Sequence, residues 1–155
     1  MTFLIVQTVF LASGLLAQAF PLTERACSTR SGVTHTFYGY PDNDPPGPAT
    51  AYNCGGRNNV AGGTGTYTNP LTFASAPGEF TSCEVIYVPY LKKYARFEDY
   101  CAQCATDWKT GKYHIDLWTG SSTVNGGANQ IQCENNLTPN AQSIVRQPPS
   151  NLAVD

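Results

Sequence analysis

The chain has 155 residues, with nine Lys and Arg against eleven Asp and Glu, a net charge of −2 and only 13% charged side chains. A length of this order holds one domain with a modest core. No dense basic run is present to displace counterions from phosphates, so nucleic acid is excluded as an expected partner.

Residues 1–19 form an apolar stretch that ends in Ala17-Gln18-Ala19, the small-x-small pattern of a signal-peptidase site. A signal peptide over 1–19, a mature start near Phe20 and a secreted, extracellular product are therefore expected. Gln7, Thr8 and Ser13 interrupt the stretch, and no Lys or Arg precedes it. It reads as a removable leader rather than a membrane anchor, and no membrane partner is expected. The six cysteines, Cys27, Cys54, Cys83, Cys101, Cys104 and Cys133, all follow it. An even count in a secreted chain implies up to three disulfides, with the pairing left open. Cys101-Ala-Gln-Cys104 has no second CxxC to complete it, and His35 and His114 lack paired ligand spacing, so no metal and no cofactor is expected.

Beyond the leader, 13 Gly and 11 Pro are spread through the chain, with turn clusters at Pro45-Pro46-Gly47-Pro48, Gly62-Gly63 and Asn125-Gly126-Gly127. Such punctuation favours short strands over long helices. Residues 34–40, 83–90, 94–97 and 113–118 are rich in β-branched and aromatic side chains and are predicted strands. Residues 69–80 are the one stretch expected to hold a turn or two of helix, limited by Pro77. Asn136-Leu137-Thr138 is a glycosylation sequon that makes Asn136 an expected acceptor, although Pro139 follows it directly. The expected organisation is a leader over 1–19, one all-β domain over 20–138 and a loose tail over 139–155, which lacks core periodicity. The nine Tyr and two Trp are flat side chains with polar handles that either fill the core or stack on sugar rings.

The stretch Phe97-Glu98-Asp99-Tyr100-Cys101-Ala102-Gln103-Cys104, followed by His114-Ile115-Asp116-Leu117, carries the candidate chemistry. In a strand, Ile115 and Leu117 would face one side and enter the core, while His114, Asp116 and Trp118 face the other. A His, a carboxylate and a Trp aligned in this way suit a sugar ring held beside a proton donor.

A D-x-C-x-x-C segment followed by His-Ile-Asp-Leu resembles the double-psi β-barrel domain of expansins, barwin-like proteins, glycoside hydrolase family 45 endoglucanases and bacterial lytic transglycosylases of the MltA type. Thr36-Phe37-Tyr38-Gly39, then Asp44, Gly47 and Ala49, is similar to the first strand and loop of expansins. The two matches occur in the right order and span roughly residues 34–136. The chain also resembles small fungal secreted muramidase-like proteins.

The resemblance implies an all-β, six-stranded double-psi β-barrel with short helical segments, stapled by disulfides. It also implies an enzyme that cleaves a cell-wall polysaccharide, working as a monomer. By the same resemblance Asp116 is the general acid, Asp99 and Asp44 are the accompanying acidic residues, and Thr36 and Tyr38 line the groove. His114 and Trp118 join them as substrate-binding residues. The endoglucanases place an Asp four residues after the Thr of this motif, whereas this chain has Tyr40. An inverting mechanism copied from them is therefore not implied.

Glycoside cleavage requires one carboxylic acid kept protonated near neutral pH, and hydrolysis requires a second carboxylate as base or nucleophile. Asp44, Asp42 and Asp107 are the candidates for the second group. Without one, a single acid would still support transglycosylation. The alternative reading is a non-catalytic, expansin-like module that binds or loosens wall polysaccharide, and a weaker third is a disulfide-rich effector that recognises another protein.

Overall fold

The computed structural model describes residues 27–120 and 127–155. The expected signal peptide lies outside the described residues. Six strands and two helices follow in the order β1 (Ser28–Tyr38), β2 (Leu71–Ser75), β3 (Val85–Val88), β4 (Lys93–Tyr100), α1 (Ala102–Trp108), β5 (His114–Trp118), α2 (Gly127–Leu137) and β6 (Gln142–Arg146). The strands close into one barrel in the order β1-β5-β2-β4-β3-β6. The β1/β5 and β2/β4 pairs are parallel, and the other four pairs are antiparallel. Closure leaves no free sheet edge, the liability that short strands otherwise carry.

The alternation predicted for β5 is present. Ile115 and Leu117 enter the barrel core with Val33, Phe73, Phe97 and Ile144. A second apolar cluster contains Tyr38, Ala74, Cys101, Cys104 and Trp118.

Three expectations are corrected. Residues 69–80 contain β2 rather than a helix: Thr72, Phe73, Ala74 and Ser75 are all buried between β4 and β5, where ladder bonding outweighs the helix preference of the alanines. Helix forms instead at α1 and α2. Cys101 caps α1, its Sγ accepting the backbone N–H of Cys104 at 3.0 Å.

The tail over 139–155 is not loose, and the domain does not end at 138. β6 pairs with both β1 and β3, and Ile144 is fully buried in the core. Beyond β6, the hydroxyl of Tyr94 donates to the carbonyl of Pro149 at 2.6 Å, and that of Tyr87 donates to the carbonyl of Ala153 at 2.7 Å.

Of the six cysteines, four pair, as Cys54–Cys83 and Cys101–Cys104. The third disulfide is absent: Cys27 and Cys133 are both exposed and free. One lies just before β1 and the other on the exposed face of α2, each turned to solvent. Asn136 is exposed near the end of α2. Among the described residues no helix is long and apolar enough to cross a membrane, and no cluster of three or more His, Cys, Asp or Glu is placed to hold a metal ion.

Candidate functional site

The parallel register of β1 and β5 sets Thr34 opposite His114 and Thr36 opposite Asp116. Side chains two apart on a strand share a face, so Thr36, His114 and Asp116 meet on one side of the ladder. Thr36 Oγ1 lies 2.7 Å from Asp116 Oδ1 and 2.9 Å from His114 Nε2. On its other side, His114 Nδ1 lies 2.9 Å from Asp107 Oδ2, which also accepts from Lys112 Nζ at 2.8 Å. The backbone N–H of His114 donates to the buried Glu79 at 2.7 Å.

Asp116 lies in a cleft of about 200 Å3 whose other walls include Tyr38, Asp42, Asn43, Asp44 and Tyr100. Burial raises its carboxyl to about 7, helped by the negative charges of Asp42, Glu134 and Asp99 and opposed by the Thr36 hydroxyl. The acidic loop after β1 is folded on itself, with the backbone N–H of Gly39 donating to Asp42 Oδ1 at 2.9 Å. Gly39 leaves the room that Gln130 and Glu134 of α2 occupy, where a Cβ would come within 1.9 and 2.8 Å of their side chains. Glu134 is buried, accepts from the Thr119 hydroxyl at 2.6 Å, and has its carboxyl raised by burial and by the adjoining Asp42.

The predicted site residues thus separate into two tiers. Asp116, Asp44 and Tyr38 border the cleft. Thr36 and His114 stand behind Asp116 and reach it through hydrogen bonds. Asp99 does not line the cleft. Its Oδ1 accepts the N–H groups of Ala51 at 3.0 Å and Tyr100 at 2.9 Å, and its Oδ2 accepts the Tyr38 hydroxyl at 3.1 Å. With both oxygens engaged, it anchors Tyr38 instead of facing a substrate.

Trp118 is 5% exposed and packs edge-on against Tyr38 at 5.2 Å between centroids, so its ring is core rather than a sugar platform. Asp107, a candidate second carboxylate, sits on the far side of His114 from Asp116 and cannot act across the cleft.

Two residues at the site were not anticipated. Tyr100 is 50% exposed and borders the cleft, offering the open aromatic face that Trp118 lacks. Its one sequence signal is its place between Asp99 and the cysteine pair. Glu134 gave none, because α2 reads GANQIQCENNL with no apolar stripe.

Barrel and cleft define a small all-β domain with an acidic, carboxyl-floored groove. The family model of the DDB_G0273701 N-terminal domain matches residues 30–155, and the chain belongs to that family. A relative from Dictyostelium discoideum, "Uncharacterized protein DDB_G0273701/DDB_G0273221", is 40% identical over 121 residues, 77% of this chain and 52% of the relative. The chain therefore spans about half the length of the curated relative it matches. No solved structure matches the chain.

Proposed function

We propose that this chain is a secreted enzyme that cleaves a cell-wall polysaccharide, peptidoglycan ahead of cellulose, with Asp116 as the general acid. One observation carries the reading: a carboxyl raised to about 7 lines a cleft that the loop carboxylates Asp42 and Asp44 also line. The similarity of two separate motifs to double-psi barrels supports it, and a closed six-stranded barrel with two parallel pairs is in keeping with that fold. Secretion is part of the proposal, in line with two disulfides and their need for an oxidising compartment.

In this mechanism Asp116 gives its proton to the glycosidic oxygen as the bond to the sugar carbon breaks. Asp42 or Asp44, on the loop that lines the same cleft, takes the proton of the attacking water or supports the developing positive charge on the ring. Where neither does so, a hydroxyl of the substrate attacks and the reaction is a transglycosylation. Tyr100 supplies the stacking face and Tyr38 a hydroxyl fixed by Asp99.

The second reading, a wall-binding module that does not cut, is favoured by one feature: among the described residues Asp44 makes no hydrogen bond that would fix it as a base. Incubation with peptidoglycan, chitin, cellulose and β-glucan separates the two. Release of reducing or anhydro ends supports cleavage, and retention on a polymer without release supports binding alone. Neither binding nor release on any polymer rejects both.

A further inference from the structure

We infer that one end of the barrel is a second binding site that takes a free fatty acid, with its alkyl chain in an apolar pocket of about 300 Å3 and its carboxylate at Lys93. None of the residues lining this pocket borders the Asp116 cleft. The site therefore goes beyond polysaccharide cleavage and does not depend on it.

The pocket follows from how the strands are paired. β1 and β5 run parallel, β2 runs antiparallel to β5, and β4 runs parallel to β2, so the ends of β1 and β5 meet the starts of β2 and β4. Phe37 and Leu117, paired across β1 and β5, meet Leu71 at the start of β2 and Leu91 in the β3–β4 turn there. Leu117 is buried, whereas Phe37, Leu71 and Leu91 pack on the core and are still only half-buried. The core thus reaches solvent through an apolar mouth, a place where small barrels take ligands. At its rim stands the end of α2, held by the Tyr90 hydroxyl, which donates to the carbonyl of Leu137 at 3.1 Å. Leu137 is 42% exposed and lines the same pocket.

One cation completes the lining. Lys93 opens β4, and its stem lies in a slot left by Gly65, where a Cβ would come within 2.3 Å of Lys93 Cδ. The carbonyl of Gly65 accepts the N–H of Tyr94 at 2.7 Å, which fastens this loop beside Lys93. Neighbouring Lys92 is engaged by Asp155 at 2.8 Å, but among the described residues Lys93 pairs with no carboxylate.

An apolar pocket with one unmatched ammonium calls for an apolar tail that carries one negative head. Its volume is at the low end of the roughly 300–1,000 Å3 of small-molecule pockets, which suits a single chain better than the face of a folded partner. Charge then sets the preference: a carboxylate is attracted by Lys93, an alcohol gains nothing from it, and a quaternary ammonium is repelled.

Titration of the 15N-labelled protein with fatty-acid salts, followed by amide shifts, tests the site without any polysaccharide. Octanoate should shift Leu71, Leu91 and Leu117, and along butanoate, hexanoate and octanoate each added methylene should tighten binding by about fourfold. Octanol and octyltrimethylammonium should bind more weakly than octanoate. Lys93→Gln should weaken octanoate by about fivefold and leave octanol unchanged. The proposal is overturned by an absence of shifts, by shifts centred on Tyr100 and Ala102 at the cleft, by equal binding of the anionic and cationic chains, or by octanoate binding that Lys93→Gln does not alter. Sedimentation with vesicles of anionic phospholipid in the absence of octanoate shifts would make this end a membrane-docking face and overturn it too. The wild-type series decides the matter even if Lys93→Gln does not fold.

Discussion

Thr36 and Asp116 stand opposite one another on two parallel strands, and the Thr36 hydroxyl donates to Asp116 Oδ1 at 2.7 Å while Asp116 borders the cleft. Strand pairing alone brings together two residues eighty positions apart in the chain. The same pairing places His114 one step along the face, so the acid and the groups that orient it come from one local piece of the barrel.

The Asp116 carboxyl weakens the fold where it is charged. Its folded value of about 7 exceeds the ordinary 3.8, so the folded state holds a proton that the unfolded state releases. Its contribution to stability is therefore fully present below about pH 4 and is lost as pH rises towards 7. Asp116→Asn should gain roughly 1–3 kcal/mol over wild type at about pH 8 and little at about pH 4. Urea unfolding at the two pH values measures this, and a pH-independent difference would count against a raised carboxyl.

The two aromatic residues should separate stability from binding. Trp118→Ala removes a buried ring packed on Tyr38 and should cost about 3–5 kcal/mol of stability. Tyr100→Ala removes a half-exposed ring and should change stability by less than about 0.5 kcal/mol while weakening retention on polysaccharide. Equal loss of stability in both variants would remove Tyr100 as a surface platform.

A chain ending at residue 138 should not fold. It would lack β6, leave β1 and β3 with open edges and remove Ile144 from the core. Circular dichroism and thermal melts should show no cooperative transition for this truncation, and a native-like melt would show that β6 is dispensable.

The two disulfides should contribute unequally. Cys54–Cys83 closes a loop with a sequence separation of 29, and its replacement by a pair of alanines should cost roughly 3 kcal/mol in urea unfolding. Cys101–Cys104 spans a separation of only three, and its removal should cost clearly less. The reverse order would mean that the cap on α1 governs stability instead of loop closure.

The strands that announce themselves do so through alternation. β5 shows Ile115 and Leu117 inward with His114 and Asp116 on the other face, and the site is legible there because that face is polar. β2 hides because LTFAS is buried on both faces and carries small or polar residues at Thr72, Ala74 and Ser75. β6 hides because QSIVR follows a sequon and precedes Pro148-Pro149, and its partners β1 and β3 lie far away in sequence.

At the site, residue type alone made Asp99 and Trp118 attractive, but nothing in the sequence told that backbone amides and Tyr38 occupy the one and cover the other. Glu134 was hidden for the opposite reason: its helix carries no apolar stripe, and its burial comes from packing beside Gly39 and Thr119, far away in sequence.

The central claim is that Asp116 is the acid that breaks the glycosidic bond. Its most direct measurement is the release of sugar ends from the polymer that wild type cleaves, compared with Asp116→Asn of confirmed fold. Loss of at least about a hundredfold in rate, the scale of general acid catalysis, is predicted. Undiminished release by the variant would contradict it.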